Sequence, residues 1–241
     1  MTTEYDIKPL GPDGVLVRFG TKLTDAANAR AITFRDMVAD AALDGVTEIA
    51  SALTSVRVGF DPARTNRAAI TKAVETLLTQ DIADQVAISR IWHIPACFNA
   101  DHAPQLAEAA ELAGVTPEQA VKDFTENTVR VIALGFAPGQ PYLGMLPERW
   151  NIPRQSELTP FMPRGALIVA IRQFVLFNAD APTGWRKIGQ TAFQGYRPDD
   201  TDPFPLRAGD GVRFHAVSGA EFDAIRADAA TNGGARCEVL S

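Results

Sequence analysis

Hydrophobic and polar positions in the first third of the chain follow two periods. Apolar residues at every second position, as at Val56, Val58 and Phe60, predict strands with one buried face. Apolar residues at steps of three and four predict amphipathic helices. The predicted strands and helices follow one another at 7–10, 15–19, 24–38, 47–50, 55–60 and 70–78. This ββαββα order predicts an α+β two-layer domain, an antiparallel sheet covered on one face by two helices.

The pattern changes after a polar stretch at 79–89 that shows no clear period. A domain boundary is therefore expected there, with domains at 1–84 and 85–241. The second domain opens with a predicted strand, two helices and a buried strand, at 90–98, 106–113, from Thr116 onward, and at 129–134. From residue 150 to 217 the strands are short and are cut by Pro and Gly, which predicts a closed or nearly closed β-barrel. A terminal helix is predicted at 221–230.

The loop from Leu134 to Leu146 follows that buried strand and is rich in residues that specify backbone conformation. It holds three glycines and two prolines among Phe136, Tyr142 and several leucines. Glycine permits positive φ and close backbone approach, whereas proline fixes φ and removes a donor. Two interpretations remain equally open on composition alone. The loop either faces a ligand or partner, or it is a tight turn between core strands.

Composition and charge exclude several classes of protein. The 241 residues carry a formal net charge of -6, so no basic surface is available to neutralise nucleic-acid phosphates. No apolar run approaches the roughly 18 residues that span a membrane. The N-terminus, Met1 to Asp6, lacks the pattern of a signal peptide. The two cysteines form no disulfide framework, so a cytoplasmic, reducing compartment is expected.

No motif for nucleophilic, metal or phosphate chemistry is present. The three histidines, His93, His102 and His215, have no Cys, Asp or Glu at metal-ligand spacing, so no metal site is expected. His93 is interpreted as a structural residue and His215 as solvent-exposed. Cys97 lies in an apolar strand, where a thiol behaves as a small hydrophobic group. Neither a nucleophile elbow nor a glycine-rich phosphate loop occurs.

A polar and aromatic set in the β-rich half is the remaining candidate site. Its predicted substrate-binding members are Tyr142, Arg154, Gln173, Trp185 and Gln190. Arginine binds carboxylate or phosphate through two parallel hydrogen bonds, while Tyr and Trp supply flat apolar walls. Taken singly, each aromatic residue is better explained by the core or a subunit interface, and each arginine by the surface. Their recurrence beside Gly/Pro turns favours a shared site.

The same residues carry a family resemblance. Gly135-Phe136-Ala137-Pro138-Gly139-Gln140-Pro141-Tyr142-Leu143 resembles the Gly-Phe-x-Pro-Gly-Phe-x-Tyr-Leu signature of the allophanate hydrolase subunit 1 family, also called the 5-oxoprolinase B-subunit family. Later motifs follow in the family's order: Pro153-Arg154, Pro163-x-Gly165, Pro182-x-Gly184-Trp185, Ile188-Gly189-x-Thr191 and Gly209-Asp210-x-Val212-Arg213-Phe214. The resemblance covers nearly the whole chain. The motif positions expected to shape the site are Gly135, Phe136, Pro138, Gly139, Gln140, Pro141, Gly165, Gly184, Gly189 and Thr191.

The resemblance implies a fold, partners and an activity. The fold is an α+β N-terminal domain followed by a mainly-β cyclophilin-like barrel. The partner is an allophanate hydrolase subunit 2 homologue (the 5-oxoprolinase C-subunit), with an A-subunit homologue as a third protein, in a complex resembling the carboxyltransferase domain of urea carboxylase. Such a complex uses ATP to hydrolyse a small amide, 5-oxoproline or allophanate, and whether ATP contacts this chain is left open. The alternatives are a regulatory binder resembling the Kip-type inhibitor of a sporulation histidine kinase, or a structural subunit with a vestigial pocket.

Several departures from the family pattern bear on the site, among them Arg164 where a small residue is expected and Gln190 where the family has Arg. Gln140 stands where the family has Phe, Phe124 where a His is expected, and Leu158-Thr159 where a second Pro-Arg pair is expected. Gln140 makes the loop more polar, so it is the position where a changed substrate preference is expected first.

Overall fold

The computed structural model describes residues 5–228 and 230–240. The described chain divides between Ala87 and Ile88 into two compact units, each with its own hydrophobic core. This division lies in the polar stretch where the sequence predicted a boundary after residue 84. Residues 1–4, which belong to the N-terminal segment predicted to lack a signal pattern, lie outside the described residues. No helix in the described part is long and apolar enough to cross a membrane.

The first unit is a four-stranded sheet with two helices. Its elements are β1 (Asp6–Leu10), β2 (Gly14–Arg18), α1 (Asp25–Asp40), β3 (Val46–Ala52), β4 (Ser55–Phe60) and α2 (Arg67–Leu77). The strands pair antiparallel in the order β1-β2-β4-β3. Alternate strand residues such as Val17 and Val58 share one core with Phe34 of α1 and Val74 of α2. The ββαββα prediction is therefore confirmed, because the strand period and the helix period both bury one common face.

The second unit contains the remaining elements. They are β5 (Arg90–Cys97), α3 (Leu106–Leu112), α4 (Pro117–Glu126), β6 (Val129–Leu134), β7 (Pro141–Gly144), a 3₁₀ turn (Glu148–Trp150), β8 (Thr159–Met162), β9 (Ala166–Ala170), β10 (Gln173–Leu176), β11 (Ala181–Thr183), β12 (Arg186–Gln190), β13 (Gly211–Val217), α5 (Gly219–Ala227) and β14 (Arg236–Val239).

Seven of these strands close into a barrel. Their order is β6-β13-β5-β12-β9-β10-β7, and β7 pairs again with β6. The barrel is mixed because β13 runs parallel to β5, whereas the other neighbours are antiparallel. Strand β14 pairs with β5, and β8 and β11 form a separate two-stranded ribbon. The predicted closed barrel is confirmed, and closure leaves the seven strands without a free edge.

The core of the second unit lies inside the barrel and under α3 and α4. Leu143, Val169 and Phe174 belong to this core, together with Phe124 of α4. The Phe124 ring lies 4.4 Å from Trp150 and 5.0 Å from Phe174, measured between centroids. Phe124 is almost fully buried. The departure from the expected His is therefore a change in core packing.

Two of the differences between predicted and observed element boundaries have a clear structural cause. Gln173, predicted between two strands, is the first residue of β10, because Ile171 and Arg172 alone make the turn with positive φ. The terminal helix, predicted at 221–230, runs from Gly219 to Ala227. It begins earlier because Ser218 and Glu221 form a capping box, which satisfies two backbone donors at the helix start. Within the predicted span, residue 229 lies outside the described residues.

Candidate functional site

The loop after β6 and the β8–β11 ribbon enclose a cavity of about 210 Å³ against the outer wall of the barrel. It is lined by Phe136, Gln140, Tyr142, Arg154, Ile168, Val175, Phe177, Pro182, Thr183 and Trp185. We call it the Tyr142 cavity. It brings together three of the five predicted substrate-binding residues, Tyr142, Arg154 and Trp185, with Phe136 and Gln140 of the loop.

Strand alternation builds the floor of the Tyr142 cavity. Val175 is the cross-strand neighbour of both Tyr142 and Ile168, so these three side chains form a row across β7, β10 and β9. The adjacent row, which includes Phe174 and Leu143, faces the barrel core. Because successive side chains point to opposite faces, each strand contributes one residue to the core and the next to the cavity.

Arg154 lies over the indole ring of Trp185. Its guanidinium carbon is 5.4 Å from the ring centroid. Gln155 holds this arrangement, since its backbone N donates to Gly184 O at 2.7 Å and its Nε2 donates to Trp185 O at 3.0 Å. Arg154 is exposed and has no hydrogen bond or ion pair with any described residue. Its donors are therefore free for an anionic group of a ligand.

The loop at the cavity is fixed by backbone contacts and by Asn178. Asn178 Nδ2 donates to Pro138 O at 2.9 Å, and Asn178 N donates to Gln140 Oε1 at 3.2 Å. Gln140 is almost completely buried. Gly139 has φ +66°, and a Cβ there would lie 1.9 Å from Gly195 O, so only glycine fits. Gln140 therefore anchors the loop as well as lining the cavity.

Three exposed apolar side chains belong to the loop and to the ribbon segment around the Tyr142 cavity, and we call them its apolar rim: Phe136, Leu158 and Phe161. Phe136 has a relative exposure of 76% and a φ of +73°, a region that bulky residues rarely adopt. Leu158 is 68% exposed and packs near Gly184, and Phe161 on the ribbon is 62% exposed. A backbone outlier of this kind costs on the order of 1–3 kcal/mol. An exposed aromatic ring held at that cost is typical of a binding loop.

Two predicted substrate-binding residues lie elsewhere. Gln173 is buried at the start of β10 and does not line the Tyr142 cavity. Gln190 lines a second cavity, of about 440 Å³, together with the motif residues Gly165 and Thr191. We call this the Lys187 cavity. Gly189 packs against the Phe98 ring, where a Cβ would lie 3.2 Å from it. The residues of the family motifs therefore lie in three places: the Tyr142 cavity, the Lys187 cavity and the barrel wall.

Two of the three histidines, His93 and His215, form a pair away from the Tyr142 cavity. His93 Nδ1 lies 2.8 Å from His215 Nε2, and His93 Nε2 lies 2.8 Å from Glu238 Oε2. His93 is buried and His215 is exposed, as predicted for His215. Burial lowers the pKa of His215, with further lowering from His93, Arg236 and Arg213. Among the described residues, no cluster of three or more His, Cys, Asp or Glu side chains suits a metal ion.

Several residues at these cavities carried no usable sequence signal. Asn178 anchors the loop, and Thr183 lines the Tyr142 cavity while its Oγ1 accepts a hydrogen bond from Trp185 N at 3.2 Å. Thr183 lies inside the Pro182-x-Gly184-Trp185 motif, where it replaces the first glycine of the Pro-Gly-Gly-Trp that the family resemblance leads one to expect, but that replacement did not indicate a cavity residue. Lys187 lies between Trp185 and Gln190, yet an isolated lysine in a strand has no distinguishing pattern.

Comparison with known proteins identifies the family. A family model described as the carboxyltransferase domain, subdomain C and D, matches residues 5–206. The chain belongs to this family. A curated relative from Bacillus subtilis (strain 168), named as the B-subunit of 5-oxoprolinase, is 30% identical over 236 residues, which cover 94% of this chain and 98% of the relative. The resemblance inferred from the motif series is thereby confirmed.

Solved structures show the same carboxyltransferase fold within longer chains. The crystal structure of TTHA0988 is 28% identical with a TM-score of 0.73, and the match covers 86% of this chain and 40% of that one. The urea carboxylase of Kluyveromyces lactis is 19% identical with a TM-score of 0.78, over 98% of this chain and 24% of that one. This member of the carboxyltransferase family therefore spans less than half of either structure, and the second likeness is one of fold alone.

Proposed function

We propose that this chain is a subunit of an ATP-dependent complex that hydrolyses a small amide, with 5-oxoproline as the first candidate and allophanate as the second. The Bacillus subtilis relative, matched over nearly its full length, is named as the B-subunit of 5-oxoprolinase. The observation that carries the proposal is the Tyr142 cavity, where an unpaired Arg154 lies over Trp185 beside the conformationally constrained loop. We also propose that the barrel is of the cyclophilin-like type, which does not imply prolyl isomerase activity.

The Tyr142 cavity suits a small molecule with one carboxylate and one amide. Its volume of about 210 Å³ is below that of pockets for drug-sized ligands. Arg154 binds the carboxylate, and Tyr142 and Trp185 form the apolar walls. Thr183 and Tyr142 supply hydroxyl groups that orient the amide. These hydroxyls take the role predicted for Gln173 and Gln190, since neither glutamine lines this cavity.

The Tyr142 cavity is half of a site. None of the described residues that line it carries a carboxylate, an imidazole or an amino group, the side-chain groups that most often act as general bases. Phe136 lines the cavity, and Leu158 and Phe161 lie next to and on the ribbon that encloses it; all three are exposed in this chain. A partner protein that covers this rim buries the apolar side chains and brings a general base. We propose that the partner is a 5-oxoprolinase C-subunit homologue, of the allophanate hydrolase subunit 2 type, and that the complex works in the cytoplasm.

The Tyr142 cavity is a poor match for ATP. Arg154 is the one cationic residue among those described at the Tyr142 cavity, and no phosphate loop adjoins it. A nucleoside triphosphate bound there would leave most of its negative charges without a cationic partner. We therefore propose that ATP does not bind in the Tyr142 cavity and that an A-subunit homologue delivers the activated amide to the half-site.

Reconstitution tests this proposal. The chain, its C-subunit and A-subunit homologues and ATP should convert 5-oxoproline to glutamate. Arg154→Ala should raise KM for 5-oxoproline about tenfold or more, since a hydrogen bond to a charged group is lost. Arg207→Ala, at an exposed arginine paired with Asp202, is the matched control and should leave KM unchanged. An assembled complex that turns over neither 5-oxoproline nor allophanate excludes the proposal.

A regulatory binder is the second candidate, and the exposed Phe136 at positive φ favours it as much as a catalytic half-site. The two candidates differ in what Arg154→Ala does. Lost turnover with intact binding of the partner supports a substrate site. Lost binding, with no turnover by the wild-type complex, supports a docking surface for a regulated protein.

A further inference from the structure

The Lys187 cavity is distinct from the Tyr142 cavity and its lining is cationic. It lies in the second unit between the end of β12, the Pro163–Gly165 turn and α5, and it encloses about 440 Å³. Lys187, Arg164 and Arg226 line it, and no acidic residue is among its described lining residues. The chain as a whole has 29 acidic and 23 basic residues, so a wall with three basic residues and no acidic one is a local excess of positive charge.

Two of the three cations lack a counter-ion. Neither Lys187 nor Arg164 forms an ion pair with any described residue, whereas Arg226 pairs with Asp223 at 3.1 Å. Asp180 accepts a hydrogen bond from the backbone N of Arg164 at 2.8 Å, and it forms no ion pair with the Arg164 guanidinium. Burial lowers the pKa of Lys187, and no carboxylate lines the cavity to offset that loss of hydration.

A threonine of the same cavity wall, Thr191, has an unpaired hydroxyl. Thr191 is 2% exposed, and its Oγ1 has no hydrogen-bond partner among the described residues. The backbone N of Thr191 donates to Gly165 O at 2.8 Å, which fixes the position of the threonine. Gly165 also lines the Lys187 cavity. A buried polar atom without a partner is costly and requires an explanation. A ligand oxygen that accepts from the hydroxyl is the explanation that also accounts for the cations.

The neighbouring Gln190 shows the same feature. Its Nε2 donates to Arg164 O at 2.8 Å and contacts Thr191 O at 3.3 Å, so the orientation of the amide is set by two carbonyl acceptors. Its Oε1 is buried and unpaired. This acceptor suits a protonated oxygen or an N–H of the same ligand. Adjacent residues thus leave one donor and one acceptor unused at the cavity.

We propose that the Lys187 cavity binds a small phosphate-bearing anion, with Lys187 and Arg164 neutralising the phosphate and Thr191 donating a hydrogen bond to one of its oxygens. Lysine and arginine are the usual phosphate-binding side chains, and together they match a doubly charged group better than a single carboxylate. The volume exceeds that of inorganic phosphate, so the phosphate of a nucleotide is as compatible as a free polyphosphate. The proposal does not depend on what the Tyr142 cavity binds.

Calorimetric titration of the full chain with pyrophosphate tests the site. Wild-type protein should bind, and Lys187→Gln should weaken binding by about tenfold, because a charged hydrogen bond is lost. Thr191→Val should weaken binding without lowering the melting temperature, since its hydroxyl has no protein partner to lose. Lys122→Gln, an exposed lysine on α4 paired with Glu126, is the matched control and should bind as wild type.

The remaining arms identify the source of the phosphate. If ATP binds more tightly than pyrophosphate and adenosine displaces it, the ligand is a nucleotide. If ATP and pyrophosphate bind with equal affinity, the ligand is a free polyphosphate. Either result supports a phosphate site. Three outcomes overturn the proposal: no pyrophosphate binding at millimolar concentrations, equal affinity in Lys187→Gln and wild type, or glutamate binding as tightly as pyrophosphate. None of these outcomes bears on 5-oxoproline turnover, so the two proposals fail separately.

Discussion

Ile171 occupies a backbone conformation that suits other residues better. The turn between β9 and β10 has positive φ at both central positions, 45° at Ile171 and 63° at Arg172. Two-residue hairpin turns of this kind favour Asn and Gly, whereas a β-branched residue is strained there. Arg172 has compensating bonds, since its Nε donates to Leu146 O at 2.8 Å and its Nη1 lies 2.7 Å from Glu148 Oε2. Ile171 is exposed, and its aliphatic side chain forms no hydrogen bond or ion pair that could offset the strain.

Ile171→Asn should therefore stabilise the protein. Relief of the strain should raise the free energy of unfolding by about 1 kcal/mol, which in a domain of this size corresponds to a rise of about 2–4 °C in melting temperature. Differential scanning calorimetry measures the change. Leu112→Asn, at an exposed position of α3 without positive φ, serves as the control and should not stabilise. A melting temperature at or below wild type in Ile171→Asn would show that the turn is not strained.

The His93–His215 pair makes stability depend on pH. The His215 ring on β13 contacts the His93 ring on β5, and Glu238 of β14 contacts the other ring nitrogen of His93. The positive charges that act on His215 come from Arg213, also on β13, and from Arg236 on β14. The pKa of His215 is lowered below its ordinary value of 6.5, by burial first. The unfolded chain therefore binds a proton at a pH where the folded chain does not. Stability rises with pH through that window and falls as the pH drops below 6.5.

His215→Asn should weaken that dependence. Between about pH 7 and about pH 5, the free energy of unfolding should fall less in the variant than in wild type, as measured by urea denaturation. His102→Asn leaves the pair intact and should keep the wild-type slope. Identical slopes in wild type and His215→Asn would mean that the pair does not contribute to the pH dependence.

At the scale of elements, the loop before β7 depends on a close approach between two backbone segments. Gly139 and Gly114 both have positive φ, +66° and +70°. A Cβ at Gly139 would collide with Gly195 O, whereas a Cβ at Gly114 would meet nothing within 4 Å. Gly114 therefore requires glycine only for its positive φ, whereas Gly139 requires it both for its positive φ and because a side chain would collide with Gly195 O.

Alanine substitutions at these glycines should differ. Gly114→Ala should cost about 1 kcal/mol, because only the left-handed conformation is unfavourable there. Gly139→Ala should cost about 3 kcal/mol, since the loop and the Gly195 segment must also move apart. Chemical denaturation gives both values. Equal costs would show that the loop adjusts freely, which would argue against a constrained binding loop.

Secondary structure was largely predictable at this scale, and strand partners were not. The alternation of Val56, Val58 and Phe60 and the Thr116-Pro117 helix start were both correctly interpreted, because each depends on neighbours a few residues away. The terminal helix was misplaced by two residues at its start, because Ser218 and Glu221 were not recognised as a capping box. The ribbon of β8 and β11 pairs residues about twenty positions apart, for which no local signal exists.

At the scale of the whole molecule, the exposed apolar rim predicts a partner. Phe136→Ser should reduce affinity for the proposed partner, the C-subunit homologue, by about 2 kcal/mol or more, as truncation of a central aromatic residue does in many interfaces. Phe204→Ser is a matched control, because Phe204 is an exposed aromatic residue that stacks on Tyr196 and does not line the Tyr142 cavity. Surface plasmon resonance measures both affinities. Unchanged affinity in Phe136→Ser would remove the rim from the interface.

Sequence alone determined the family, the ββαββα unit, the barrel and the loop around Gly139, because periodicity, turn residues and ordered motifs are local properties. Tertiary structure alone decided which motif residues meet. Tyr142, Arg154 and Trp185 converge through strand register, while Gln190 and Thr191 turn to a second cavity with Lys187. The same holds for Glu238, which reaches His93 across 145 positions of sequence. Such contacts depend on how strands pair around a closed barrel, and spacing along the chain does not encode that pairing.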